Sequence, residues 1–337
     1  MNRKYVLASA AVAGAALLVC ALFVTTPHEP SLPFVYIVYD GEKGDLSYTD
    51  SAYRGIFLAQ EAMPFSKREF TMSDRGNLFG LLNSTVMERP GLVITVGYRY
   101  TNDTRNLAAG NPDVRFLAID QTGAGSANLG TYEITSYGES YLAGVLAATV
   151  TKTNHVGIIL GTQSALLTGF RQGYLDGARA ADPSIIVEEA YVRDNSTTGF
   201  SDPARARDIA RGMFRNGTDV IYTVAGFSGT GAITEAKAAP GRYIIGVDSD
   251  QTDLGPSVIL ASAVKRVDRV VYTGIAEYLN GSFTGGERVA GLQDGVTALV
   301  FNPKFAAYNE TVSLWTGKAQ EAETRYLAGR KGTIAGK

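Results

Sequence analysis

The segment Tyr243-Ile244-Ile245-Gly246-Val247-Asp248 is a short apolar run, rich in β-branched residues, that ends in a carboxylate. Such a run is typical of a buried strand in a parallel sheet. Similar runs recur from Phe34 onward and alternate with amphipathic helical stretches, a pattern that predicts βαβ units. The predicted strands are Phe34–Asp40, Leu92–Val96, Arg115–Asp120, His155–Leu160, Val220–Val224 and Tyr243–Asp248. The predicted helices are Ser51–Met63, Tyr100–Ala109, Tyr137–Val150, Ala165–Ala181, Pro203–Asn216, Gly231–Ala238 and Arg266–Leu279.

These elements are too many for one open sheet with short connections. The polar segment Thr151-Lys152-Thr153-Asn154 is predicted to be the connection after which a second series of βα units begins. The sequence therefore predicts an α/β fold with two Rossmann-like lobes that face each other across a central cleft. A further helix is predicted within Glu310–Gly329, with no function assigned to it.

The N-terminal 30 residues have the pattern of a membrane anchor or signal segment with a linker. Arg3 and Lys4 precede an uncharged stretch, Tyr5–Val24, which is long enough to cross a bilayer. The positive flank predicts that the rest of the chain is exported. Cys20 follows Leu17-Leu18-Val19, which loosely resembles a lipobox, so lipidation is the alternative to an uncleaved anchor. N-x-[ST] sequons agree with export and occur at Asn83, Asn102, Asn195, Asn216, Asn280 and Asn309.

The overall composition argues against several functions. A formal net charge of −2 and a pI of about 5.8 do not suit a protein that neutralises nucleic-acid phosphates. One cysteine and two histidines, His28 and His155, leave little for disulfides, zinc ligation or histidine-based catalysis. We therefore expect a binding protein without a metal or another cofactor, not an enzyme.

Carboxylates follow three of the predicted strands, at Asp40, Asp120 and Asp248, and a fourth strand runs into Ala225-Gly226. Ligands of open α/β sheets bind outside the carboxyl ends of the strands, so we expect these residues to converge on the cleft. An aspartate in this position also serves as a helix cap or turn former. Three in equivalent places favour a site that accepts hydrogen bonds from a hydroxyl-rich ligand or that binds a metal.

A nucleoside combines a ribose diol with a flat base on which aromatic rings can stack. Tyr48 and Phe200 are the candidate stacking residues, because each lies in a polar loop just before a helix. The alternative is that they only staple the helix starts. Gly226-Phe227-Ser228-Gly229-Thr230-Gly231 lacks the spacing of a dinucleotide-binding loop and has no Walker lysine, so Gly226 is predicted to let the backbone approach a neutral ligand.

Several motifs resemble the basic membrane protein family of ABC-transporter substrate-binding lipoproteins, which includes purine-nucleoside receptors. The resemblance extends from about Phe34 to Phe301. The motifs that carry it are Ile245–Gln251, Ala263–Asp268, Ser140–Val145, Thr151–Thr153, Phe200–Ala204 and Asn111-Pro112-Asp113.

The resemblance implies a type I periplasmic-binding-protein fold with a hinge of three crossovers. On this basis residues 31–132 with 262–288 would form lobe 1, and residues 133–261 with 289–337 would form lobe 2. It also implies ligand contacts: Asp40 and Asp120 as acidic residues, Tyr48 and Phe200 as stacking rings, Gly226 as the loop glycine, and Asp248 with Lys265 as a ribose clamp. Ser47-Tyr48-Thr49-Asp50 stands where Ser-Phe-Asn-Gln is common, which leaves the base preference open.

The implied function is a monomeric receptor on the extracytoplasmic face of the cell membrane. It would capture a nucleoside, with purines favoured, and deliver it to an ABC permease and its ATPase. Two alternatives remain open: a metal-dependent nucleoside hydrolase that uses the clustered aspartates, and a ligand-sensing receptor domain.

Overall fold

The computed structural model describes residues 32–71, 78–194 and 196–335. The predicted N-terminal anchor, with Cys20, and the sequon residue Asn195 lie outside these ranges. Within them, no helix combines the length and the apolar character that a bilayer crossing requires.

The first sheet has six parallel strands in the order β11-β5-β4-β3-β1-β2. The helices that alternate with its apolar strands cover both faces of this sheet, as in other parallel α/β sheets. Its strands are β1 (Phe34–Tyr39), β2 (Ser66–Phe70), β3 (Leu92–Val96), β4 (Arg115–Ile119), β5 (Leu129–Ile134) and β11 (Gly286–Ala290). Its helices are α1 (Tyr48–Ala62), α2 (Leu78–Met87), α3 (Thr101–Gly110) and α8 (Val267–Leu279). We call this sheet and its helices the first lobe.

The second sheet has the order β12-β10-β9-β8-β6-β7 and is parallel except for the antiparallel pair β10–β12. We call this sheet and its helices the second lobe. Its strands are β6 (His155–Leu160), β7 (Ile186–Tyr191), β8 (Val220–Val224), β9 (Tyr243–Asp248), β10 (Ile259–Lys265) and β12 (Thr297–Phe301). Its helices are α4 (Tyr137–Val150), α5 (Ala165–Ala181), α6 (Pro203–Arg215), α7 (Gly229–Ala236), α9 (Ala307–Ser313) and α10 (Thr316–Ala335).

The chain passes between the two sheets three times in the described residues, from β5 to α4, from β10 to α8 and from β11 to β12. The predicted α/β fold with two mostly parallel sheets is confirmed. The exact domain limits stay a prediction, and the predicted limit at residue 262 falls inside β10, which continues in the second sheet to Lys265.

The pattern analysis missed strands that carry polar residues. The edge strands β2 and β7 read Ser-Lys-Arg-Glu-Phe and Ile-Val-Glu-Glu-Ala-Tyr, and their side chains are only partly buried. An edge strand pairs on one side only and so needs no continuous apolar run. The predicted C-terminal helix is present but is divided into α9 and α10.

Helix α10 is attached to the region where the chain crosses between the lobes. Its Glu323 accepts hydrogen bonds from the backbone N–H groups of Gly138, at 2.9 Å, and Leu292, at 3.1 Å. Gly138 lies just after the first crossover and Leu292 lies within the third. About two turns further along the helix, Arg330 forms an ion pair with Glu133 of the first lobe. The C-terminal helix therefore joins both lobes at the crossovers.

Candidate ligand-binding cavity

A cavity of about 300 Å³ lies at the carboxyl ends of strands from both sheets. This volume is within the range of roughly 300–1,000 Å³ that is usual for small-molecule sites. All seven residues that the sequence nominated line it: Asp40, Tyr48, Asp120, Phe200, Gly226, Asp248 and Lys265. The predicted convergence of the strand ends on one cavity is therefore present, and the binding role of each residue stays a prediction.

The most buried charges of the cavity are Asp120, at the end of β4, and Lys265, the last residue of β10. The Lys265 Nζ donates to Asp120 Oδ2 at 2.6 Å, and neither side chain is more than 1% exposed. The other oxygen of Asp120 accepts from the backbone N–H of Ile134 at 3.2 Å. Since Asp120 belongs to the first lobe and Lys265 to the second, this ion pair links the two lobes inside the cavity.

Asp248 is held by a different partner. The Ser47 hydroxyl, just before α1, donates to Asp248 Oδ2 at 2.6 Å. The resemblance implies that Asp248 and Lys265 contact a ribose together, which stays a prediction, and in this structure the side-chain partner of Lys265 is Asp120 rather than Asp248. The register explains the difference: Asp248 lies opposite Val264, and the next residue on a strand points to the other face.

Burial raises the pKa of Asp248 to about 6, although the Ser47 hydrogen bond and the Lys265 charge act in the opposite direction. No protein donor among the described residues reaches Asp248 Oδ1. Asp248 is therefore a carboxylate with one oxygen left to accept a hydrogen bond from a ligand.

Asp120 and Asp248 share an unusual backbone conformation. Their φ angles are +57° and +61°, in the left-handed region that non-glycine residues seldom adopt and that aspartate tolerates better than most. Both residues stand where a strand ends and the chain turns away. The turn directs both carboxylates into the cleft, and such conformations are concentrated at functional sites.

Asp40 is the third predicted carboxylate, and it is already paired. The Arg99 guanidinium donates to Asp40 Oδ1 and to the Asp40 carbonyl oxygen. Arg99 follows β3, the neighbour of β1 in the first sheet, so the sheet order brings the two residues together. Asp40 thus contributes an ion pair to the cavity wall, not a free carboxylate.

Aromatic side chains from both lobes form much of the remaining wall. Tyr48 begins α1 of the first lobe, while Phe200 ends a short 3-10 turn of the second lobe. Phe170, from α5, is buried in the same wall. The Lys265 ammonium lies 5.6 Å from the ring centroids of both Tyr48 and Phe170, within cation–π range.

The structure shows a second reason for a glycine at position 226, besides close approach of the backbone to a ligand. Its φ is +54°, a conformation that favours glycine, and an added Cβ would lie 3.5 Å from Phe200 atoms. Gly161 is tighter still, since a Cβ there would meet the Phe200 ring at 2.5 Å. These glycines set the position of the Phe200 ring beside the cavity.

Sequence reasoning missed Ser47, Arg99 and Phe170. Arg99 could have been found, because it stands three residues after a predicted strand and the same strand-end rule applies. Ser47 lay within the quoted motif but had no assigned role, and Phe170 reads as an ordinary core residue of an amphipathic helix. Among the side chains the structure describes, no group of three or more acidic, histidine or cysteine residues could hold a metal ion.

Comparisons with known proteins agree with this architecture. An ABC transporter system solute-binding protein from Aeropyrum pernix K1 superposes with a TM-score of 0.74 at 25% identity, covering 85% of this chain and 80% of that one. Basic membrane protein A1 of Borrelia garinii subsp. bavariensis is 32% identical over 302 residues, 86% of this chain and 87% of the relative. The ABC transporter nucleoside-binding protein BmpA of Lactococcus lactis subsp. cremoris is 34% identical over 220 residues, 60% of this chain and 61% of the relative.

The two-sheet fold, the cavity at the strand ends and these similarities define the class: this is a substrate-binding protein of an ABC transporter. Residues 33–324 match the family described as ABC transporter substrate-binding protein PnrA-like, and the chain belongs to that family. The resemblance that the sequence motifs indicated is confirmed.

Proposed function

We propose that this protein captures a nucleoside in the cavity between its lobes and delivers it to an ABC permease. We also propose that it does so on the extracytoplasmic face of the membrane, held there by its N-terminal segment, as a monomer. The proposal favours purine nucleosides and assigns no catalytic step to the protein.

The observation that carries the proposal is that two kinds of group line one cavity. Asp248, the Tyr48 hydroxyl and Lys265 can accept or donate hydrogen bonds, and the rings of Tyr48, Phe200 and Phe170 offer flat surfaces. A nucleoside needs both kinds of group, because its ribose is rich in hydroxyl groups and its base is planar and stacks on aromatic rings.

The charges of the cavity also suit a neutral ligand. Among the described residues, the cavity has three cations, Lys265, Arg99 and Lys43, and each forms an ion pair with a carboxylate, that of Asp120, Asp40 and Glu69 respectively. Further acidic residues, Glu42, Asp45 and Asp248, face the same space. Since the cations are already paired, an additional phosphate would meet repulsion. One relative, from Lactococcus lactis, is named as a nucleoside-binding protein, which supports the same ligand class.

Calorimetric titration tests this proposal directly. The purified full-length chain, freed of carried-over ligand by unfolding and refolding, is titrated with adenosine, guanosine, inosine and cytidine. We expect saturable heat with at least one purine nucleoside and none with ribose 5-phosphate. No heat with any nucleoside would remove the proposal, and release of free base from inosine with added calcium would replace it with a hydrolase.

Removing the Phe200 ring is expected to weaken nucleoside binding. Stacking of one base on one aromatic ring contributes about 1–3 kcal/mol, so Phe200→Ala should raise the dissociation constant by roughly tenfold to a hundredfold. Phe57→Ala is the matched control, because Phe57 is about half exposed on α1 outside the cavity. Equal affinities of the two variants would show that Phe200 does not contact the base.

A further inference from the structure

The hydroxyl of Tyr48 is a buried polar atom without a hydrogen-bond partner among the described residues. Its ring forms part of the cavity wall, and the carboxylates of Asp120 and Asp248 lie close enough to influence it. A buried hydroxyl that lacks a partner costs free energy. Such an atom in the wall of a binding cavity is therefore a candidate for a ligand contact.

Among the described residues, no group forms a hydrogen bond of ordinary geometry with this hydroxyl, although the neighbouring Asp120 carboxylate is near enough to exert a hydrogen-bonding influence on its pKa. Asp120 accepts from Lys265 with one oxygen and from the backbone of Ile134 with the other. Asp248 accepts from Ser47 with one oxygen. These bonds fix the two carboxylates in place and leave the Tyr48 hydroxyl beside them.

The Tyr48 hydroxyl acts as a donor in these surroundings. Burial raises its pKa well above the ordinary tyrosine value, and the charge and hydrogen-bonding influence of Asp120, followed by the charge of Asp248, add to the rise. The phenol therefore keeps its proton at any physiological pH. Because the free oxygen of Asp248 is an acceptor only, the two groups together suit a ligand group that both accepts and donates, which is the property of an alcohol.

We propose that the Tyr48 hydroxyl donates a hydrogen bond to one of the two secondary hydroxyls of a bound ribonucleoside, and so distinguishes ribose from its deoxy forms. This inference rests on the proposed nucleoside-binding function. It gives Tyr48 a second role besides stacking. A vicinal diol fits because one hydroxyl can donate to Asp248 Oδ1 while the neighbouring oxygen accepts from Tyr48.

The test compares wild type with Tyr48→Phe, a change that removes one oxygen and keeps the ring. Each purified full-length protein is titrated with the best-bound nucleoside and with its 2′-deoxy and 3′-deoxy analogues. For the ribonucleoside we expect Tyr48→Phe to weaken binding by about threefold to tenfold, the usual contribution of one hydrogen bond. For the deoxy analogue that lacks the contacted hydroxyl, we expect wild type and variant to bind equally.

The control is Tyr53→Phe, the same substitution on α1 at a partly exposed residue outside the cavity, which should bind every ligand as wild type does. Equal affinity of Tyr48→Phe and wild type for the ribonucleoside would overturn the inference. So would an equal loss for all three ligands, because that pattern would mean a general disturbance of the site. If wild type binds no nucleoside, the proposed function fails first, and the two failures are therefore distinguishable.

Discussion

Lys265→Met is expected to lower the free energy of unfolding by about 3–5 kcal/mol, the usual cost of removing one member of a buried ion pair. Lys265 and Asp120 are almost fully inaccessible, and their contact at 2.6 Å joins the end of β10 to the end of β4. Methionine fills a similar volume but leaves the Asp120 carboxylate without its cation at a position that is almost fully shielded from solvent. Urea unfolding followed by circular dichroism measures the loss.

The double variant Asp120→Asn with Lys265→Met distinguishes two causes of the lost stability: the loss of the attraction between the charges, and the cost of leaving one buried charge unpaired. It removes both charges, so we expect it to recover more than half of the stability that the single variant loses. Arg325→Met is the control, because Arg325 forms an exposed ion pair with Glu321 and such pairs contribute less than about 1 kcal/mol. A Lys265→Met protein no less stable than Arg325→Met would contradict the buried-pair interpretation.

The same variant bears on ligand binding. The sequence motifs imply that Asp248 and Lys265 contact the ribose together, whereas the structure pairs Lys265 with Asp120. If the ammonium also donates to the ligand, a Lys265→Met protein that remains folded should bind nucleoside at least tenfold more weakly. The cation then has two tasks in one place: it neutralises a buried carboxylate and it supplies a donor to the cavity.

The positions of the site residues were predictable because they follow from strand order. Asp40, Asp120 and Asp248 each come at the end of an apolar run, and parallel strands place such ends along one edge of a sheet. Their partners were not predictable in the same way. The Lys265–Asp120 bond spans two different sheets and depends on the register of β9 and β10, which a single sequence does not encode in any local pattern.

The burial of Glu139 near the first crossover could not be predicted from the sequence either, because it also depends on residues that are distant along the chain. Glu139 stands in Tyr137–Val150, where a glutamate in the first turn of a helix reads as an ordinary dipole partner. Only the tertiary structure shows that α10, the third crossover and β10 all pack around it. Glu139 is buried by contacts with residues more than a hundred positions away, and the hydrophobic periodicity of the local sequence does not predict such contacts.

Glu139 lies in the first turn of α4, just after the first crossover. It is fully buried, and neither of its carboxylate oxygens has a hydrogen-bond partner within the described part of the chain. Burial, and next the charge of Glu323 on α10, raise its pKa to about 8. The backbone N–H of Glu139 itself, the hydroxyl of Thr297 on β12 and then the charge of Lys265 on β10 act in the opposite direction. Tyr222 on β8 faces the same group. Glu139 is therefore protonated and neutral at pH 7.

A carboxyl group whose pKa is higher in the folded state than in the unfolded chain destabilises the fold as the pH rises. The folded protein retains the proton that the unfolded chain releases, so the loss begins near the unfolded value of about 4.5 and is complete above the folded value. Each pKa unit corresponds to about 1.4 kcal/mol. Wild type should therefore lose several kcal/mol of stability from this one residue between pH 5 and pH 9.

Glu139→Gln is expected to abolish that loss, because the amide keeps the shape of the neutral acid and cannot ionise. The difference in unfolding free energy between variant and wild type, measured by urea titration at each pH, should be small at pH 5 and should favour the variant by several kcal/mol at pH 9. Taking the difference cancels the other titrating groups, Asp248 among them. Glu321→Gln, an exposed change on α10, serves as the control and should give a flat difference. If the Glu139→Gln difference is equally flat, the carboxyl group has the same pKa in the folded and unfolded states, and burial does not raise it.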